Sequence, residues 1–249
     1  MRSRCWCSAT VALVLAGCGS SGRAAAPYSY DTHAPLRTQL GAPLNKAGTA
    51  RLYDLSYRGA NGSLVRSYLV APVSAGRHPG VLLLHGSGGD RTDFLVPAAD
   101  LALRGAVALT ISMPNDAATY RPLVVDARRG LDVLQSLRSV DPRRLGLVGY
   151  SLGAQTAAIV AGVDARPRAV AIVAGRGTAR ARQFVRRTHA KLLFAGGTND
   201  ERVPHAQLLA LIHAAPDHPD VRWYPTRHAM SKTAFHGVVS WEAAELRAR

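Results

Sequence analysis

The segment Gly149-Tyr150-Ser151-Leu152-Gly153 constrains this chain more than any other. It sits directly behind the apolar run Leu145-Gly146-Leu147-Val148 and ahead of an alanine-rich stretch with helical spacing over residues 152–163. A strand here has to reverse sharply into a helix, and a glycine two residues to either side of the serine lets the two backbones pass closely. The turn lifts Ser151 out, its hydroxyl exposed above the first N–H groups of the helix. A fold that alternates strands with helices around one sheet offers such a site, and the rest of the chain alternates accordingly.

Residues 51–58 and 64–70 alternate apolar and polar side chains on either side of Gly59-Ala60-Asn61-Gly62, the pattern of an antiparallel hairpin. The continuous apolar run at 80–84 fits a strand buried on both faces. Further strand patterns lie at 106–111, 145–148, 169–173, 191–195 and 221–224. Helix patterns lie between or after them, near 93–104, 123–138, 152–163, 178–188, 204–214 and 232–247. The expected fold is therefore α/β: a mostly parallel, doubly wound sheet with an antiparallel N-terminal hairpin and helices on both faces. Ligands in such sheets bind at the carboxyl ends of the strands. Residues 50–249 are expected to form one catalytic domain.

A serine hydroxyl is a poor nucleophile unless a base that titrates near neutrality hydrogen-bonds it. Among nine histidines, His228 lies four residues beyond the last strand pattern, in a short loop at the carboxyl-end rim. His236, on the final helix pattern, is the alternative. His85 precedes a glycine in a tight turn and is expected to organise that loop. His33, His78 and His218 are expected to be solvated, and His189, His205 and His213 to be structural. Asp200, in a Gly/Asn turn after strand 191–195, can hold the His228 imidazole in one tautomer and stabilise its cation. Glu201 is the neighbouring alternative, while Asp217 and Asp220 come later, at exposed positions. The oxyanion of a tetrahedral intermediate needs two backbone donors, each worth about 3 kcal/mol. Leu152 N–H and Ser87 N–H are the expected pair, with Gly88 as the fallback. The loop after His85 lacks the third glycine and the Gly-Lys-Ser/Thr run of a phosphate cradle, which excludes nucleotide binding. No His or Cys pair has metal-ligand spacing, and Asp126 and Asp132 read as exposed helix positions. Neither metal nor cofactor is expected.

Four motifs follow strand patterns in order: His85-Gly86-Ser87-Gly88-Gly89, Gly149 to Gly153, Gly197-Thr198-Asn199-Asp200-Glu201-Arg202-Val203-Pro204, and Arg227-His228-Ala229-Met230. On these, residues from about 50 to 249 resemble an α/β-hydrolase, most similar to the small capless branch around dienelactone hydrolase. The resemblance implies the chain order of nucleophile, acid and base found here, Ser151, Asp200, His228. The dienelactone enzymes of the family carry cysteine where this chain has Ser151. Only 17 residues separate strands 169–173 and 191–195, too few for both a crossover helix and a cap domain. The expected activity is hydrolysis of carboxylic esters with small acyl groups through an acyl-enzyme. A lactone or dienelactone hydrolase is the alternative, and a non-catalytic binding lipoprotein on the same fold is the reading from a different class. Arg176, Arg180, Arg182, Arg186 and Arg187 crowd the same connection; they either recognise an acidic substrate or form a solvated helix face. Met113-Pro114-Asn115-Asp116 and Tyr120 are expected on the other wall of the cleft.

The first residues stand apart. Arg2 and Arg4 precede a short apolar region at 8–16, and Leu15-Ala16-Gly17-Cys18 resembles the lipobox of bacterial lipoprotein signal peptides. An apolar stretch this short is a poor transmembrane helix, which needs about 20 residues. Residues 1–17 are thus expected to be removed and Cys18 to carry lipid, an ordinary cleaved secretory signal being the alternative. Residues 18–49, small, polar and proline-bearing, are expected to be a flexible tether. Cys5 and Cys7 would leave with the signal, so no disulfide is expected. Loss of residues 1–17 would leave 29 basic against 16 acidic side chains, a net of +13. Such a charge suits anionic lipid headgroups or wall polymers near the anchor. No aromatic-interleaved basic stripe points to nucleic acid. The expected location is the bacterial envelope, outside the cytoplasm and lipid-anchored.

Overall fold

A computed structural model describes residues 26–45, 48–114, 119–216 and 218–248. Nine strands form one sheet: β1 Gln39–Pro43, β2 Ala50–Arg58, β3 Leu64–Pro72, β4 His78–Leu84, β5 Val107–Ile111, β6 Val140–Tyr150, β7 Pro167–Val173, β8 Lys191–Gly197 and β9 Asp220–Tyr224, in the spatial order β1-β2-β3-β5-β4-β6-β7-β8-β9. β1, β2, β3 and the β3–β5 pair run antiparallel, and every later pair is parallel. Six helices complete the chain: α1 Leu95–Leu103, α2 Tyr120–Ser136, α3 Leu152–Val163, α4 Ala179–Val185, α5 His205–Ile212 and α6 Lys232–Glu245. The expected fold class is the observed one.

The central strands are buried on both faces, so successive side chains feed two separate cores. Leu82 and Leu84 of β4 join Leu109, Leu147 and Ile172 under α2, α3, α4 and α5. Val81 and Leu83 point the other way, with Ala108, Val148 and Ala171, under α1 and α6. The carboxyl ends of β4, β6, β7 and β8 therefore meet at one rim, with helices packed beneath it on both sides. Only α4 and its short flanks connect β7 to β8, and no cap domain occupies that connection.

Several side chains depart from their expected settings. Within the expected tether, residues 26–45 are held against the domain. β1 pairs with β2, the Tyr28 ring meets Phe184 of α4 edge-on at 5.5 Å, and Tyr30 Oη donates to Asp132 at 3.0 Å. Arg129 of α2, 3 % exposed, donates to the Ala34, Pro35 and Arg58 carbonyls. The domain thus begins well before residue 50. His78, expected in solvent, is buried at the start of β4, its ring nitrogens bonded to the carbonyls of Gly105 and Ser74 at 3.0 Å each. Asp126, read as exposed, is buried under the β2–β3 turn and accepts from Ala60 N–H. That turn has no room for another partner: a Cβ on Gly59 would lie 2.1 Å from the Asp126 carboxylate. Cys18, Asn115, Asp116 and Asp217 lie outside the described residues.

Candidate active site

The strand-to-helix reversal at Ser151 is tight enough to exclude any side chain at its flanking glycines. A Cβ on Gly149 would lie 2.2 Å from the Gly153 carbonyl oxygen, and one on Gly153 would lie 2.1 Å from that of Leu84. Ser151 itself sits at φ 54°, ψ −109°, a left-handed conformation costing a non-glycine residue about 1–3 kcal/mol. The surroundings hold it there: Ser151 N–H donates to the Val173 carbonyl at 2.9 Å, and its own carbonyl accepts from Ala154 and Gln155 in the first turn of α3.

The structure brings Ser151, His228 and Asp200 into one hydrogen-bonded line. His228 Nε2 is 3.0 Å from Ser151 Oγ, and His228 Nδ1 is 2.9 Å from Asp200 Oδ2. An ionised carboxylate only accepts, so Nδ1 carries the proton and Nε2 presents its lone pair to the serine hydroxyl. The other Asp200 oxygen accepts from Arg202 N–H at 2.9 Å and Val203 N–H at 2.8 Å. These bonds fix the carboxylate plane, with one oxygen aimed at His228. Side-chain exposure is 9 % for His228 and 2 % for Asp200, so the pair is shielded while Ser151 stays half-buried at the cleft. Glu201, the alternative acid, is exposed. His236, the alternative base, lies on α6 and bonds Asp100 and Arg104 instead.

Sequence reasoning missed the role of Tyr150. Its hydroxyl donates to the His228 carbonyl at 2.8 Å, and its ring lies 5.3 Å from the imidazole, centroid to centroid. Phe235 of α6 meets the same ring edge-on, 5.8 Å between centroids. Burial, with the Asp200 charge nearby, pushes the Tyr150 hydroxyl up to about 12, so it stays a donor at all physiological pH. The position within the pentapeptide was visible; the partner, 78 residues away, was not.

His85 organises its loop as expected. It is buried, bonds the Gly86 carbonyl through Nδ1 at 2.6 Å and accepts Met113 N–H at Nε2 at 2.8 Å. The loop it holds carries Gly86 and Ser87 to the edge of an open cleft of about 420 Å³, lined also by Tyr150, Ser151, Leu152, Gln155, Arg176, Arg202, Val203 and His228. Leu152 N–H, the first of α3, has no intrahelical acceptor, and Ser87 N–H meets no acceptor among the described residues. Tyr120 reaches this wall indirectly, donating to Gln155 Oε1 at 2.6 Å. Of the five arginines between β7 and β8, only Arg176 lines the cleft. Arg202, which lines it too, follows Asp200 in the motif and was not singled out by its pattern. Among the described residues, no three His, Cys, Asp or Glu side chains are placed to hold a metal ion.

Residues 65–247 match the pattern of the dienelactone hydrolase family. The chain belongs to that family. Solved structures of similar fold include an acetyl xylan esterase from Paenibacillus sp. R4, with TM-score 0.73 and 19% identity, covering 84% of this chain and 89% of that one. An acetyl xylan esterase from Thermoanaerobacterium sp. gives TM-score 0.71 at 15% identity, over 85% of this chain and 88% of that one. A cold-adapted esterase from an Arctic intertidal metagenomic library gives 0.70 at 18% identity, over 85% of this chain and all of that one, 100%. At these identities the likeness is one of fold. No curated protein sequence matches the chain. Family membership places the protein among α/β-hydrolases, and the residues at the cleft decide what chemistry this member can perform.

Proposed function

We propose that the protein is a serine esterase acting on carboxylic esters with small acyl groups. The observation that carries this reading is the unbroken line from Ser151 Oγ through His228 to Asp200, ending at an open cleft. Ser151 attacks the ester carbonyl as His228 Nε2 takes its proton, and Asp200 stabilises the imidazolium. Leu152 N–H and Ser87 N–H bind the oxyanion. His228 then protonates the leaving alcohol, and the same groups direct water onto the acyl-enzyme. An uncapped cleft suits short acyl chains, because nothing encloses a long one in an apolar tunnel. Two proteins of similar fold are acetyl xylan esterases, and acetyl is a small acyl group, which supports this reading.

A fluorophosphonate probe tests the nucleophile directly. The full chain should gain one phosphonyl adduct, mapped by mass spectrometry to Ser151, and H228A should label far more slowly. Labelling at another serine, or none, contradicts the assignment. We further propose, from the sequence of residues 1–18, that the protein is exported and lipid-anchored at Cys18 on the bacterial envelope.

A further inference from the structure

Between Asp164 and Asp200 the chain carries no acidic residue at all, yet it holds eight basic ones: Arg166, Arg168, Arg176, Arg180, Arg182, Arg186, Arg187 and Lys191. Arg166 is neutralised by Asp164 and Asp132. Among the described residues the other seven form no ion pair. Arg176, Arg182 and Arg186 donate to backbone carbonyls, which leaves their charge intact, and Arg187 lies over the Phe184 ring. Arg180, Arg186, Arg187 and Lys191 are exposed. The last three converge with His189 and His218 around a depression of about 320 Å³ beyond the end of α4. Asp217 and Asp220 are the acidic residues that neighbour its lining in sequence, so the basic side chains outnumber them and leave a net positive potential on this face.

The first described residues of the chain lie against the same helix. Tyr28 packs on Phe184 of α4, and its carbonyl accepts from Arg128 at 2.9 Å. Ten residues separate Tyr28 from Cys18, a length of chain that spans at most about 35 Å. A lipid at Cys18 would therefore keep the α4 face within reach of the bilayer surface.

We propose that this face, Arg180 to Lys191, docks on anionic phospholipid headgroups and orients the anchored domain on the membrane. The proposal rests on the lipid-anchor reading for its geometry, while the charge of the face stands without it. Arg176, earlier in the same run, lines the cleft at the carboxyl ends of the strands, while Lys191 opens β8 at the opposite end, so the docked face runs along the side of the sheet.

The test uses the full chain expressed from its own leader in a bacterium. The intact mass of the purified protein reports whether Cys18 carries lipid, which settles the anchor separately. The protein is then placed on phosphatidylcholine vesicles with and without phosphatidylglycerol and treated with phenylglyoxal, and peptide masses read the modification of each arginine. Docking predicts protection of Arg180, Arg186 and Arg187 on the anionic vesicles alone, against Arg66, Arg77 and Arg138 as exposed references. Protection should disappear at about 1 M salt, where screening shortens the Debye length to about 3 Å. With C18S added, so that no lipid dominates binding, the R180Q/R186Q/R187Q variant should bind anionic vesicles on the order of a hundredfold more weakly, and R66Q/R77Q/R138Q, with the same net charge, should not. Equal modification on both vesicles, or equal losses in both variants, overturns the proposal whether or not Cys18 is lipidated. Protection by soluble polyglycerol phosphate, with none on vesicles, assigns the face to a wall polymer and overturns it as well.

Discussion

Ser151 can be strained because its neighbours fix the strain, and His228 can be a base because its neighbours fix its tautomer. Tyr150 holds the His228 loop through its hydroxyl and packs its ring against the imidazole, which makes it a positioning residue for the base. Y150F removes one hydrogen bond, worth about 1 kcal/mol, and frees the loop that carries the imidazole. The expected result is a fall in kcat on the order of tenfold with KM nearly unchanged and a thermal midpoint only slightly lowered. A raised KM with kcat unchanged would mean the tyrosine shapes binding instead. D200N should act harder, lowering kcat by on the order of a thousandfold or more, because an amide can present its N–H to Nδ1 and impose the wrong tautomer. Stopped assays of both variants beside wild type separate the two roles. At this scale the pattern of residues exposed Ser151, Asp200 and His228, since each sits in a short motif just past a strand. The contributions of Tyr150, Gln155 and Arg202 were hidden, because each depends on a contact made only when distant segments meet.

The elements around the site tolerate little. α3 passes so close to β4 that the Leu84 carbonyl occupies the space a Gly153 side chain would need. G153A should cost about 1–3 kcal/mol in urea unfolding and displace the serine, so activity falls with stability. An unchanged midpoint would show that the reversal is looser than described. α6 meets β6 through Glu242, which is buried, accepts Leu147 N–H at 3.0 Å and, among the described residues, leaves Oε2 without a partner. Burial pushes its carboxyl well above the usual range. A raised carboxyl keeps its proton in the folded state after the unfolded chain has released its own, so stability is lost as pH rises through that interval. E242Q cannot ionise and retains the acceptor for Leu147, so its stability relative to wild type should rise with pH. A pH-independent difference would contradict this. Most elements were legible, because strands buried on both faces read as continuous apolar runs and the helices keep their period. β1 was not: all five of its residues are exposed, and backbone pairing to β2 holds it with no hydrophobic pattern to announce it. His78 and Asp126 were misplaced for a related reason, since a polar residue buried by its hydrogen bonds resembles a solvated one in sequence.

For the whole molecule, ordering the N-terminal segment extends the domain beyond the span its hydrophobic patterns marked. Arg128, Arg129 and Tyr30 tie residues 26–37 to α2, next to the turn that buries Asp126. Burial pushes the Asp126 carboxyl up to about 6. Folding stability from this group is therefore greatest in acid and declines by about 2–3 kcal/mol as pH rises from about 4 to about 6. D126N removes that dependence while keeping an acceptor for Ala60 N–H, so its advantage over wild type should grow across that interval and level off above it. Unfolding curves at a series of pH values read the difference, and parallel curves would contradict it. The proposed function of the whole molecule is that of an esterase working through Ser151. Hydrolysis of nitrophenyl esters from acetate to palmitate, by wild type and S151A side by side, tests it most directly. Turnover should be fastest on the shortest acyl chains and absent in S151A; equal rates for the two proteins, or none for wild type on any chain length, would sink the esterase assignment.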